Sequence, residues 1–184
     1  EWWYVTANLK DEEGREFGVQ WTLFRSALTA KPEQAGWGNQ TLWLGHAAVT
    51  SASVHHAAER YARGGVGQAG VSLTPFNAWI DDWHLISQAT GADPLTELQL
   101  SARDKGFGYQ LRLTSTKPSV LQGDKGFSQK SEQGQASYYY SQPFFQASGR
   151  QEIDGQRYQV SGPAWLDREW SSQPLASDQT GWDW

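Results

Sequence analysis

A period of two runs through most of this sequence. Trp3, Val5, Ala7 and Leu9 alternate with Tyr4, Thr6 and Asn8, and Phe17, Val19, Trp21 and Leu23 alternate with Gly18, Gln20, Thr22 and Phe24. Successive side chains of an extended chain point to opposite faces, so the pattern reads as strands with one buried face. Asp11 to Gly14 (DEEG) joins the two runs as a turn and predicts a first hairpin. Thr41–Ser51, Ala78–Ser87, Leu95–Arg103, Tyr109–Ser115, Ser137–Phe145 and Tyr158–Trp170 read as further strands. Turns such as Asp104-Lys105-Gly106 and Asp154-Gly155 separate them. About seven to ten strands at this spacing predict an antiparallel sandwich or barrel.

One segment breaks the alternation. Ser53 to Arg63 (SVHHAAERYAR) has Ala, Glu and Arg at helical density and is followed by Gly64-Gly65, which predicts one short helix. Residues 30–39 and 125–135 read as polar loops, and no linker divides the chain into two cores. At 184 residues the chain has a one-domain length and buries roughly 70% of its unfolded surface without a staple. It contains no Met and starts and ends on Trp-rich runs, so the expectation is an excised domain or processed chain, with any targeting segment outside it.

The apolar supply is unusually aromatic, with 11 Trp, 7 Tyr and 7 Phe. The lack of Cys excludes a disulfide framework, a thiolate nucleophile, a zinc ribbon and an iron–sulfur site. A net charge of −5 with scattered basic residues argues against a nucleic-acid partner or binding to an anionic membrane. No apolar run approaches the roughly 18 residues of a membrane span.

Gly65-Val66-Gly67-Gln68-Ala69-Gly70 matches G-x-G-x-x-G, but a dinucleotide site needs a strand before the motif and a helix after it. Here the surroundings are reversed, and the bland reading is a loop. His55, His56 and Glu59 are too few for a metal centre and read as a solvated face, so no metal is expected. Asn39-Gln40-Thr41 is a chance-frequency glycosylation sequon, and there is no G-x-S-x-G elbow.

The acidic and aromatic runs carry more chemistry. Asp81-Asp82-Trp83-His84 lies in an apolar run, where alternation turns one Asp inward. In Trp165-Leu166-Asp167-Arg168-Glu169-Trp170, Asp167 and Glu169 share a face with Trp165, while Leu166 and Arg168 share the other. A carboxyl walled by aromatics favours its protonated form, as a general acid requires, although an internal ion-pair network with Arg25, Arg60 or Arg168 would use the same residues. Tyr138 and Tyr140 share a face, and Tyr139 takes the opposite one. A Tyr- and Trp-lined barrel interior suits a greasy ligand with one polar end, and such rings also stabilise a developing cation. Plain core packing is the competing explanation of most of the Trp residues.

Several runs jointly resemble one family: Glu1-Trp2-Trp3-Tyr4, Phe17 to Arg25, Gly45-His46-Ala47-Ala48, His56 with Glu59-Arg60, Asp81-Asp82-Trp83, Ala136 to Ser141, Gly162 to Trp170 and Gly181-Trp182-Asp183-Trp184. The chain resembles the N-terminal lipocalin-like domain of the AttH-like and carotenoid 1,2-hydratase (hydroxyneurosporene synthase) family over its whole length. The resemblance implies an all-β antiparallel lipocalin-like (calycin) barrel, to which the residues add one short helix. It also implies a second barrel-like domain after residue 184 as a partner in the same polypeptide, and a secreted, periplasmic or lipid-anchored place in the bacterial envelope. Carotenoid hydratases add water to an isoprenoid double bond without a cofactor. In them the strand resembling Trp165–Trp170 carries Asp-His-Asn-Trp; Asp167 and Trp170 match, and Arg168 replaces the histidine with a group that does not exchange protons near neutral pH.

Three functions are expected in descending order. The first is binding of a hydrophobic lipid or isoprenoid-like small molecule. The second is cofactor-independent hydration, or a related acid-catalysed lyase or isomerase reaction, on a polyene. There Asp167 or Glu169 donates the proton, Trp165, Trp170 and Tyr138–Tyr140 (Tyr138 and Tyr140 foremost) line the cation, His46 or His84 orders water, and Asp82 is a further candidate. The third is carbohydrate binding through Trp residues on a flat solvent face.

Overall fold

The computed structural model describes residues 1–173 and 180–181. The Trp182–Trp184 end of the family-like run therefore lies outside the described residues. Thirteen strands follow in order: β1 (Trp2–Lys10), β2 (Glu16–Ala27), β3 (Thr41–Ser51), β4 (His55–Arg63), β5 (Ala69–Leu73), β6 (Phe76–Ile80), β7 (Trp83–Ser87), β8 (Glu97–Asp104), β9 (Phe107–Ser115), β10 (Val120–Leu121), β11 (Phe127–Gln129), β12 (Ala136–Ile153) and β13 (Gln156–Trp170). A single 3₁₀ turn at Gly36–Gly38 is the one helical piece among the described residues.

The strands form one antiparallel sheet in the order β4-β3-β2-β1-β13-β12-β9-β8-β7-β6-β5, with β10 and β11 added on β12. The sheet curls into a nearly closed barrel whose two edges, β4 and β5, are consecutive in the chain. The predicted period of two is met: Trp3, Val5, Ala7 and Leu9 of β1 and Phe17, Val19, Trp21 and Leu23 of β2 are all buried in the core. Trp21, Trp83 and Phe145 are the largest fully buried side chains, and with the leucines of β8, β9 and β13 they fill the centre.

Two sequence readings are corrected. The predicted helix over Ser53–Arg63 is strand β4, paired with β3 from Thr50–His55 to Leu42–Arg63. Its Ala and Glu residues favour a helix locally, but a helix would leave the β3 backbone unpaired, and tertiary pairing overrides so weak a preference. The run Ala78–Ser87 is two strands, because Asp81 adopts φ 52° and the chain turns at Asp81-Asp82. Short polar Asp tolerates this left-handed conformation better than the flanking Ile80 or Trp83 would.

The sheet edges are joined by side chains. Gly45 on β3 faces across the barrel, where an added Cβ would lie 2.8 Å from Ile80 Cγ2. The Arg60 guanidinium of β4 lies 4.2 Å from the Trp83 ring centroid and donates to Asp82 and, at 3.0 Å, to the Arg103 carbonyl. At one barrel end Arg168 sits over Trp3 at 4.0 Å and over Trp170 at 4.7 Å, Trp3 stacks on Trp43 at 6.5 Å, and Arg25 covers Trp43 at 5.7 Å. Glu1 bridges both arginines, each at 2.5 Å. Burial alone would raise the Glu1 carboxyl, but Arg25 and Arg168 outweigh it and hold the group below its ordinary 4.5.

Gly45→Val should lower stability by about 1–3 kcal/mol, because the added methyls must displace Ile80 and Trp83; urea unfolding monitored by Trp fluorescence measures it. The depressed Glu1 group contributes stability that is present above pH 4.5 and lost as pH falls through its folded value. Glu1→Gln should therefore flatten the decline of the urea midpoint at acid pH, and an unchanged acid limb would remove this role.

Candidate functional site

The register of three strands decides where each predicted site residue points. Tyr4 of β1 lies opposite Asp167 of β13, Asp167 lies opposite Ser141 of β12, and Trp2 and Tyr139 both flank Glu169. Because Val5 and Leu166 face the core, Tyr4 and Asp167 face outward. Asp167 and Glu169 nevertheless stay only 4% and 5% exposed. They form a buried polar centre on the outside of the barrel.

Asp167 accepts from three neutral donors. Its Oδ1 receives the Ser141 hydroxyl and, at 3.0 Å, the Tyr139 phenol, while Oδ2 receives the Trp165 indole N–H at 2.5 Å. Each carboxylate oxygen has two acceptor positions, so among the described residues Oδ2 retains one. Glu169 accepts from the Ser137 hydroxyl and pairs with Lys130 Nζ at 2.8 Å through Oε1. Its Oε2 is buried with no hydrogen-bond partner among the described residues. Burial, and then the Asp167 charge, raise the Tyr4 phenol above its ordinary value, so it keeps its proton at neutral pH. Trp2 and Tyr139 pack at 6.0 Å and add an aromatic wall.

The predicted set therefore divides into separate places. Asp167, Glu169 and Trp165 share the outer face as expected. Tyr138, Tyr140 and Trp170 lie on the other side of the sheet, where Tyr138 stacks on Trp170 at 5.6 Å and Tyr140 meets its edge at 6.2 Å. Tyr140 lies directly opposite Arg168, and burial raises its phenol against that positive charge. These rings cap the barrel end beside Arg168 and do not converge with the carboxylates, because a sheet separates them.

His46 does share the outer face. It lies opposite Thr22, which lies opposite Tyr4, so a row of pairs runs from Glu59 through His46, Thr22 and Tyr4 to Asp167. Three strand spacings put His46 roughly 14 Å from Asp167, too far to exchange a proton with it directly. His84 sits on β7, beside Asn77 at 3.2 Å, in a different part of the sheet. Asp82 is an exposed turn residue bound to Arg60, so the inward Asp read from alternation is absent there. The sequence reading missed Ser137, Ser141, Lys130 and Tyr4. Ser141 had a signal, since it shares the Tyr139 face two residues on; Lys130 lies in a polar loop whose docking no local pattern specifies. No group of three or more His, Cys, Asp or Glu able to hold a metal occurs among the described residues.

Below Trp165 the same outer face opens into a groove of about 820 Å³, lined by Phe17, Gly18, Asn8, Thr50, Ala52 and Pro163 among others.

The AttH-like family profile matches residues 1–184. No curated protein matches the sequence significantly. Among solved structures, an AttH protein from Nitrosomonas europaea is 32% identical, with a TM-score of 0.78 over 96% of this chain and 52% of its own. Kievitone hydratase from Nectria haematococca is 14% identical, with a TM-score of 0.72 over 94% of this chain and 48% of its own, and shares the fold. The chain thus spans about half the length of these solved structures. With a full-length profile match and a barrel shared with an AttH protein, the chain belongs to the AttH-like family.

Proposed function

We propose that this chain is the ligand-holding part of a bacterial envelope protein that binds a hydrophobic, lipid- or isoprenoid-like molecule on the outer face of β13, β1 and β2. One observation carries the reading: Asp167 is a buried carboxylate on the face turned away from the core, held by Trp165, Tyr139 and Ser141. Burying an anion is costly, and neutral hydrogen-bond donors orient it without neutralising its charge. The acceptor position that Oδ2 keeps among the described residues suits the hydroxyl end of an otherwise apolar molecule. Trp165 is exposed on this face, and Phe17, Ala52 and Pro163 in the groove farther along it offer apolar surface for its body. The reading also takes a second domain of the parent polypeptide as the cover over this face, since Trp165 on it is exposed.

Organic extraction of purified protein followed by mass spectrometry, and titration with retinol as a fluorescent probe, test the reading. Asp167→Asn should weaken retinol binding about tenfold, the scale of one charged hydrogen bond, whereas Tyr138→Phe, across the sheet, should leave it unchanged. Equal affinity in wild type and Asp167→Asn would sink the proposal.

A second reading is cofactor-independent hydration of a polyene, favoured by the Tyr139 phenol 3.0 Å from Asp167. Adding water to a double bond needs a proton on one carbon and water on the other. With its hydrogen on Asp167, the Tyr139 oxygen can take the surplus proton of the added water while its own passes to Asp167, and the protonated Tyr4 hydroxyl supplies the proton for carbon. In H₂¹⁸O this reading expects ¹⁸O in the alcohol product, with turnover falling at least 100-fold in Tyr139→Phe and Asp167→Asn. Turnover unchanged in both variants would exclude it.

A further inference from the structure

The glycine-rich segment that fails as a nucleotide loop holds a tryptophan. Gly65 and Gly67 adopt φ of 81° and 84°, turning the chain from β4 into β5. The Gly67 carbonyl accepts the indole N–H of Trp79 at 3.1 Å. Gly70 lies directly opposite Trp79, and a Cβ there would come within 2.7 Å of the ring atoms Cζ2 and Cη2. The indole therefore packs over the bare Gly70 backbone, fixed at its nitrogen and half-buried on the outer side of the sheet.

A cross-strand row of polar groups leads away from this platform. Trp79 is paired with His84, His84 with Ser101, Ser101 with Gln110, Gln110 with Arg150, and Arg150 with Gln159. Arg150 donates to Gln110 Oε1 at 2.7 Å, which holds both planar groups in place. Two depressions of about 350 and 440 Å³ meet at this pair. Glu152, Asp82 and Glu97 lie on their rims, so the surface is not the uniformly basic one a nucleic acid requires.

An outward aromatic face beside a row of amide, guanidinium and hydroxyl groups matches one ligand chemistry closely. The C–H face of a pyranose packs on the electron-rich indole, and its hydroxyls both donate to and accept from planar side chains. We propose that the outer face of β6 to β9 and β12 is a carbohydrate-binding surface, with one sugar ring on Trp79 and further rings hydrogen-bonded by Gln110 and Arg150. It is separate from the Asp167 site and does not depend on it.

Native affinity electrophoresis in gels containing hydroxyethylcellulose, xylan or polygalacturonate, with calorimetry on chitohexaose, tests the proposal on the full chain. At least one of these glycans should bind. Trp79→Ala should abolish that binding, and the double variant Gln110→Ala with Arg150→Ala, two exposed positions, should weaken it tenfold or more. Asp167→Asn should leave it intact. Binding by none of the four glycans would overturn the proposal. Undiminished binding by the folded double variant would also overturn it, even if Trp79→Ala fails to fold.

Discussion

The antiparallel pairing of β13 with β1 sets the rest of the structure. With Tyr4 opposite Asp167 and Val5 opposite Leu166, the apolar members of both strands enter the core and the carboxylates turn outward. A slip of one residue would bury Asp167 and Glu169 among leucines and expose Leu166. The hydrophobic pattern fixes this register, because burying two carboxylates without donors costs several kcal/mol while exposing Leu166 forfeits its transfer free energy. Everything that distinguishes the two faces of the sheet follows from it.

The barrel achieves closure without a complete ladder of hydrogen bonds. Its edge strands, β4 and β5, are joined through Arg60 lying on Trp83 and through the close approach of Gly45 to Ile80. The end near Arg168 is closed by alternating cations and aromatic rings with Glu1 between them. In both places a cation is spread over an indole face and anchored by carboxylates, which lets charged groups close the end of a barrel whose interior is apolar.

Much of this was legible from one-dimensional pattern. The alternation in β1 and β2 and the shared face of Trp165, Asp167 and Glu169 needed only the period of two, and the turn at Asp11–Gly14 only its Asp and Gly residues. The errors share a cause. Residues 55–63 have helix-favouring composition, yet they pair because β3 needs a neighbour. Asp81-Asp82 sits between apolar residues, yet the chain reverses there. Tyr138 and Trp170 were grouped with Asp167 on chemistry alone, although their positions along the strands place them on the opposite side of the sheet. Ser137 and Lys130 meet Glu169 through pairings that lie more than thirty residues away in the chain.

The sequence by itself determined the strand class, which residues of each strand share a face, the membership of the family-like runs and the exclusion of thiol chemistry. These depend on side-chain alternation and residue type, which are local properties. Only the tertiary structure decided which of the two faces is the interior, and that Asp167 is held by Ser141, Tyr139 and Trp165 on the outside. Those outcomes depend on how strands far apart in the chain pair and curl, and no local period encodes that choice.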